Sequence, residues 1–164
     1  MNQSKSIQTT DKPLRMDPDQ PFRFKCGPGV PCFTDCCRDV TIVLTPYDVV
    51  RLKNALQISS GEFLDQYTII VPREKRLIPM VVLKMNEDND KRCQFVSKEG
   101  CSVYDDRPWP CRMYPLNMND DGSFGFIADP AVCKGLEQPD HARISSWLIE
   151  QGVPMYDEMN MLFS

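Results

Sequence analysis

The densest cluster of cysteines is the feature that most constrains how this chain can fold. Cys26, Cys32, Cys36 and Cys37 lie within twelve residues, among glycines, prolines and charged side chains. Cysteines that only fill a core are expected to be scattered through apolar segments, which these are not. This stretch therefore predicts half of a metal centre. Four more cysteines follow in turn-prone or aromatic surroundings: Cys93, Cys101, Cys111 and Cys133.

Eight cysteines could instead form a disulfide framework, because their number is even. The first eleven residues contain no apolar run of the length that a secretory signal needs, which favours a reducing cytoplasm where thiols stay free. The neighbouring Cys36 and Cys37 cannot readily bridge each other, and a chain of 164 residues can bury a core without covalent cross-links. We therefore expect a cytoplasmic protein that uses its thiols as metal ligands.

All eight cysteines are candidate ligands, and the choice of metal lies between zinc and an iron–sulfur cluster, since both accept four thiolates. Structural zinc sites usually pair cysteines about two to four residues apart. The first four cysteines here are separated by five, three and zero residues. Adjacent side chains diverge, so Cys36 and Cys37 fit two irons of one cluster, or two different sites, more easily than one tetrahedral ion. The pattern favours an iron–sulfur cluster, with zinc as the alternative.

One metal site takes about four protein thiolates, so eight candidates exceed one site. We predict that the N-terminal four and the later cysteines converge in space. The segments Cys93–Phe95 and Gly100–Tyr104 are expected to pair as a hairpin with one cysteine on each arm. Arg107 and Arg112 flank Cys111 and either offset thiolate charge or only pair with aspartates. Four aspartates are available for such pairs: Asp35, Asp39, Asp105 and Asp106.

Capping and periodicity patterns predict an α+β fold, a small irregular single domain in which a helical hairpin, short antiparallel strands and cysteine-rich loops surround a metal site. Thr45 with Asp48, and Ser59 with Glu62, are the N-terminal signatures of the two hairpin helices. A charged solvated turn is expected at 73–76 and a loop at 86–92. Four short strands are predicted from β-branched or alternating runs, at 40–44, 68–71, 80–83 and 123–127.

Three regions are expected along the chain: a disordered tail over 1–20, the cysteine-cluster metal-binding domain over 21–136, and a C-terminal helical extension over 137–164 that packs on the same domain. The extension should begin with a helix over 140–152 that Gly152 ends. His141, the single histidine, is expected in its exposed first turn and outside the ligand set. Apolar residues of 154–164 predict one more short amphipathic helix.

Composition narrows the choice of partners. The net charge of −4 argues against sequence-independent nucleic-acid binding, which needs a basic face. No apolar run approaches the length that spans a bilayer, and no glycine-rich nucleotide motif occurs. We expect a metal as the main partner, with another protein as a further candidate partner.

An ordered series of short segments resembles the YkgJ-type cysteine-cluster proteins. The most distinctive segments are Cys-Cys-Arg at 36–38, Leu-Thr-Pro-x-Asp-Val-x-Arg-Leu at 44–52, Gly-Cys-Ser-Val-Tyr at 100–104, and Arg-Pro-x-x-Cys-Arg-x-Tyr-Pro at 107–115. The resemblance extends from about Phe22 to Gly135 and implies a CxxCxxCC domain that chelates zinc or iron. The family usually opens with C-x2-C-x2-CC, whereas this chain has C-x5-C-x3-CC.

Three functions remain open on these grounds. The first is a metal-binding protein that serves electron transfer, redox sensing or metal handling. Flagellin lysine methylases are similar in the cysteine cluster, so the second is a cluster-dependent enzyme that modifies proteins. The third is a structural zinc module whose surface binds another protein. The sequence alone does not decide whether the chain is an enzyme.

Overall fold

The computed structural model describes residues 14–72 and 79–163 and has the mixed α+β architecture that the sequence predicts. Within those residues, five α-helices and eleven short strands are joined by irregular loops. No helix in these two ranges is long and apolar enough to cross a membrane. In chain order the elements are β1 (Pro21–Arg23), β2 (Val43–Leu44), α1 (Pro46–Ala55), α2 (Ser60–Tyr67), β3 (Thr68–Val71), β4 (Met80–Leu83), β5 (Met85–Asn86), β6 (Arg92–Cys93), β7 (Val96–Ser97), β8 (Gly100–Cys101), α3 (Trp109–Met113), β9 (Leu116–Met118), β10 (Phe124–Phe126), β11 (His141–Arg143), α4 (Ile144–Glu150) and α5 (Val153–Met161).

The helical hairpin, α1 and α2, begins where the sequence predicts. Thr45 Oγ1 accepts a hydrogen bond from the backbone N–H of Asp48, and the Asp48 carboxylate accepts one from the backbone N–H of Thr45. Ser59 and Glu62 make the same reciprocal pair at the start of α2. Each box satisfies backbone donors that the first turn would otherwise leave without partners.

The hairpin packs beside a three-stranded antiparallel sheet in the order β2-β4-β3. β2 is shorter than predicted, since only residues 43–44 of the expected 40–44 pair with a neighbour. The expected turn at 73–76 lies outside the described residues. Six apolar side chains form the core between helices and sheet: Leu44, Leu52, Phe63, Leu83, Phe95 and Val103.

A second core gathers residues from both ends of the described chain. β1 pairs with β11, and β9 pairs with β10. Met16 is buried and exchanges two backbone hydrogen bonds with Phe124, so the packed structure begins before residue 21, while residues 1–13 of the expected tail lie outside the described ranges. The core contains Met16, Phe22, Met113, Leu116, Phe124, Ile144, Trp147 and Val153.

The predicted hairpin with a cysteine on each arm is wrong in its pairing. Cys93 pairs with Met85 in the β5–β6 ribbon, whereas Cys101 pairs with Val96 in the β7–β8 ribbon. The tight turn between Ser97 and Gly100, where Gly100 takes φ +119°, fixes this register. The cysteines therefore come from two successive ribbons. In the expected loop at 86–92, residues 87–89 form a 3₁₀ turn between β5 and β6.

The predicted helix over 140–152 begins later than expected. Residues 141–143 form β11 because β1 offers backbone partners, with Arg23 opposite His141 and Pro21 opposite Arg143. α4 then starts at Ile144. Gly152, at φ +72°, ends α4 in the left-handed conformation that glycine tolerates. The helix expected in the tail is present as α5, which buries Val153 and Tyr156.

Candidate metal centre

All eight cysteines lie in the described ranges and carry free thiols. Cys133 is buried, Cys26 is exposed, and the other six are partly buried. The thiols fall into two neighbourhoods that meet at the 3₁₀ turn Asp35–Cys37.

The first neighbourhood forms where the loop after β1 meets the turn after β10. The backbone N–H of Lys25 donates to the carbonyl oxygen of Gly135 at 3.1 Å, and the backbone N–H of Lys134 donates to Sγ of Cys32 at 3.1 Å. These bonds bring Cys26 and Cys32 beside Cys133. Burial raises the pKa of the Cys26 thiol to about 11, and the neighbouring Cys32 and Cys133 add to this rise.

Tyr114 contacts the same neighbourhood, although the sequence did not single it out as a site residue. Its hydroxyl donates a hydrogen bond to the Cys133 sulfur. Burial raises the pKa of Tyr114 above its usual range, and that hydrogen bond and the nearby Cys36 raise it further. The available signal was its position three residues after Cys111, in the segment Arg-x-Tyr-Pro.

The second neighbourhood joins Cys37 to the cysteines of the two ribbons and of α3. An antiparallel bridge between Arg38 and Arg92 places Cys37 beside Cys93. Burial raises the pKa of Cys93 to about 11, and the charges of Cys37 and Cys101 also raise it. Burial likewise raises the pKa of Cys111, and the charges of Cys37, Cys93 and Cys101 raise it further. These four thiols are mutual electrostatic neighbours.

Cys36 and Cys37 lie at the boundary between the neighbourhoods and interact directly. The hydrogen bond from the Cys36 thiol lowers the pKa of Cys37 to about 7; burial opposes this, and the charge of Arg92 favours it. The same hydrogen bond, together with burial, raises the pKa of Cys36. The Cys37 thiol is therefore partly ionised near neutral pH.

Two buried arginines, Arg107 and Arg112, lie next to the second neighbourhood. Arg112 donates to the backbone oxygens of Arg107, Gln151 and Asp105 at 2.9, 2.7 and 2.6 Å, and to the Tyr156 hydroxyl at 3.0 Å. Arg107 donates to the Tyr104 carbonyl oxygen and to Gln151 Oε1, both at 2.6 Å.

Neither of these arginines forms an ion pair with a carboxylate among the described residues. Asp106 pairs instead with Arg51 at 2.6 Å, and Asp39 pairs with Lys91 at 3.0 Å. The alternative in which Arg107 and Arg112 only pair with Asp35, Asp39, Asp105 or Asp106 is therefore wrong. Cys111 and Cys101 lie close enough to the Arg107 guanidinium for their thiolate forms to raise its pKa, which burial lowers.

Asp48 ties α1 to the segment that carries Cys111. Its carboxylate is fully buried, and Oδ1 accepts a hydrogen bond from the backbone N–H of Trp109 at 2.9 Å. Burial raises its pKa, while hydrogen bonds from Thr45 and Trp109 and the charge of Arg112 oppose the rise. The sequence indicated only the capping role of this residue.

The candidate ligands are not arranged as a finished site. Among residues 14–72 and 79–163, no group of three or more Cys, His, Asp or Glu side chains is arranged to hold a metal ion. His141 is exposed, in β11 rather than in a helix. Its place outside the ligand set stays a prediction.

Comparison with known families agrees with this chemistry. Residues 25–134, which include all eight cysteines, match the family model CxxCxxCC, described as "putative zinc- or iron-chelating domain". The match covers more than half of the chain, so the protein belongs to this family, as the sequence resemblance predicted. No curated protein and no solved structure matches the chain significantly. Family membership supports the binding of zinc or iron.

Proposed function

We propose that the protein holds an iron–sulfur cluster through its clustered cysteine thiolates, with zinc as the alternative, and serves electron transfer, redox sensing or metal handling in the cytoplasm. The observation that supports this most is the gathering of eight free thiols from distant segments into two adjoining neighbourhoods. Thiolate is the soft donor that iron–sulfur clusters and zinc both accept.

The surroundings of the thiols fit an anionic metal centre. Cys32 and Cys133 accept hydrogen bonds, from Lys134 N–H and the Tyr114 hydroxyl respectively, and donors of this kind stabilise negative charge on a ligating sulfur. Arg107 and Arg112 supply positive charge, and neither forms an ion pair with a carboxylate among the described residues. A cluster would supply one-electron redox chemistry here, and zinc would supply a fixed structural link.

Binding requires local movement, because no three ligands are already arranged around one ion in the described residues. We expect the sulfurs to turn inward when metal binds, so that metal binding and local folding are coupled. The loop of residues 27–31 contains two glycines and two prolines and gains most of its order in this step.

Iron–sulfur is preferred to zinc because of the adjacent pair Cys36–Cys37. The two thiols are hydrogen-bonded to each other but differ in their other thiol neighbours, which suits a polynuclear cluster or separate sites better than one tetrahedral zinc ion. The wide C-x5-C-x3-CC spacing also departs from the usual zinc knuckle.

The test is anaerobic purification followed by metal and sulfide analysis and a visible spectrum. We expect iron and acid-labile sulfide in stoichiometric amounts, with a broad absorption that bleaches on reduction. A colourless protein with stoichiometric zinc would select the zinc alternative. Metal-free protein that is fully folded in reducing buffer would overturn the proposal.

A further inference from the structure

We infer that the eight thiols form two separate metal centres with four ligands each, and that the division falls at the peptide bond between Cys36 and Cys37. This inference rests on the proposed metal binding and goes beyond it, since it states the number of centres and the ligands of each. The first centre takes Cys26, Cys32, Cys36 and Cys133. The second takes Cys37, Cys93, Cys101 and Cys111.

The ligands of the first centre are brought together by backbone contacts across more than a hundred residues. Lys25 N–H bonds to the Gly135 carbonyl oxygen, and Lys134 N–H bonds to Cys32 Sγ. The approach is close enough that a Cβ on Gly135 would lie 2.8 Å from the Phe24 ring and 3.0 Å from the Lys25 carbonyl oxygen. Because Gly135 is two residues from Cys133 and Lys25 is one residue from Cys26, this contact sets the two thiols side by side.

Cys36 completes the first set. The charges of Cys26 and Cys133 both raise the pKa of the Cys36 thiol. The charges of Cys36 and Cys32 raise the pKa of the Tyr114 hydroxyl, which is hydrogen-bonded to Cys133. Tyr114 therefore lies among three of the four proposed ligands.

The ligands of the second centre are placed by a different set of contacts. The Arg38–Arg92 bridge and the hydrogen bond from Asp39 N–H to the Lys91 carbonyl oxygen, 2.9 Å, place Cys37 beside Cys93. The β7–β8 ribbon folds back on the segment after Cys93, with Ser102 N–H bonded to the Phe95 carbonyl oxygen at 2.8 Å. Cys93 and Cys101 pack against the same apolar core as a result.

Cys111 reaches the second set from α3. Asp48 accepts a hydrogen bond from the backbone N–H of Trp109, the first residue of that helix. The charges of Cys37, Cys93 and Cys101 all raise the pKa of the partly buried Cys111 thiol. None of the first-centre thiols is among the groups that act most on it. The two groups meet at Cys37, which is hydrogen-bonded to Cys36 and also raises the pKa of Cys26, as expected for the ligand at the boundary.

Four ligands for each centre account for every cysteine. A tetrahedral zinc ion or a cubane cluster takes about four protein thiolates, so two centres use all eight. In the turn Asp35–Cys37 the thiols of Cys36 and Cys37 are hydrogen-bonded to each other, while their other thiol neighbours belong to different groups. The Cys36–Cys37 peptide is thus the shortest covalent link between the centres.

The two centres differ in their access to solvent. The first includes the exposed Cys26, whereas every thiol of the second is partly buried and two buried arginines lie beside it. A chelator should therefore remove metal in two phases, with the first centre emptied before the second.

The experiment compares metal per chain in the wild type, Cys133→Ser, Cys111→Ser and the double variant, each purified anaerobically. Val132→Ser changes an exposed neighbour of Cys133 and is the matched control. We expect each single variant to retain about half of the wild-type metal, the double variant almost none, and the control all of it. Loss of all metal in both single variants would overturn the division into two centres.

Native mass spectrometry of the wild type during stepwise chelation needs no variant, so misfolding of a variant cannot affect its result. Two successive losses of equal metal mass support two centres. A single loss of all metal, or a wild type that holds one ion or one cluster, overturns the inference while leaving the proposed metal binding intact. A wild type without metal overturns the proposed function itself.

Discussion

Asp48 Oδ1 accepts a hydrogen bond from the backbone N–H of Trp109 at 2.9 Å, across sixty-one positions of sequence. The other carboxylate oxygen accepts the backbone N–H and the hydroxyl of Thr45, at 2.8 and 2.9 Å. One buried side chain therefore caps α1 and also holds the first residue of α3, two residues before Cys111. The α1–α2 hairpin thereby fixes the position of Cys111, a proposed metal ligand.

Replacing Asp48 by alanine should cost far more stability than a normal helix cap. The change leaves the partly buried N–H groups of Thr45 and Trp109 without acceptors, and we expect a loss of about 3 kcal/mol in the free energy of unfolding. Glu62→Ala removes the same capping partner at the exposed start of α2 and is the matched control. Urea unfolding of both variants measures the difference. Equal destabilisation would show that Asp48 is only a cap.

Gly135→Ala should disturb the contact between Cys26 and Cys133. The new methyl group would meet the Phe24 ring at 2.8 Å and the Lys25 carbonyl oxygen at 3.0 Å, so one of the two segments must shift. We expect a lower melting temperature and loss of metal from the first centre. Gly27→Ala adds a methyl group next to Cys26, where nothing lies within 4 Å, and should keep both properties. Full metal content in Gly135→Ala would contradict the proposed role of this contact.

Arg112→Lys keeps the positive charge but loses the planar group that serves three backbone oxygens and Tyr156. Several buried acceptors would then lack donors, and we expect a destabilisation of about 2 to 4 kcal/mol. Arg143→Lys is the control, because that side chain is 67% exposed and meets Asp19 only at 3.8 Å. Thermal unfolding of the two variants tests the expectation. A similar small shift in both would mean that the network around Arg112 contributes little.

Metal binding should release protons and strengthen as pH rises. Burial raises the pKa of Cys26 and of Cys93 to about 11, so both thiols are protonated at neutral pH in the metal-free protein. A metal binds the thiolate, and a raised thiol pKa means that protons compete with the metal at every pH below it. Lowering the pH from about 8 to about 6 should therefore weaken zinc binding.

A pH indicator in weakly buffered solution would record the released protons when zinc is added. Titrations at several pH values would give the affinity. Binding that neither releases protons nor depends on pH would show that thiolates are not the ligands.

The helix starts could be predicted from the sequence because each is a local event. Thr45 and Asp48, like Ser59 and Glu62, are three residues apart, and their side chains satisfy backbone groups within one turn. β11 could not be predicted in the same way. Its partner β1 lies about 120 residues earlier, and only the folded chain brings Pro21 opposite Arg143. Tertiary pairing overrode the helical pattern there.

The candidate ligands could be predicted from clustering, but their grouping could not. Cys36 and Cys37 are adjacent in the sequence, whereas in the fold their other thiol neighbours differ. Cys133 joins the first neighbourhood through Lys134 and Gly135, about a hundred residues from Cys32. Because the tight turn lies at 97–100, Cys93 and Cys101 belong to separate ribbons. The alternation of residue types along the sequence did not determine this register.

X-ray absorption at the edge of the bound metal, on anaerobically purified protein, tests the central claim most directly. If cysteine thiolates hold the metal, its first coordination shell contains sulfur at about 2.3 Å. We predict a shell of sulfur alone, in the wild type and in His141→Ala alike. A shell dominated by nitrogen or oxygen would contradict a thiolate centre and place the metal elsewhere in the protein.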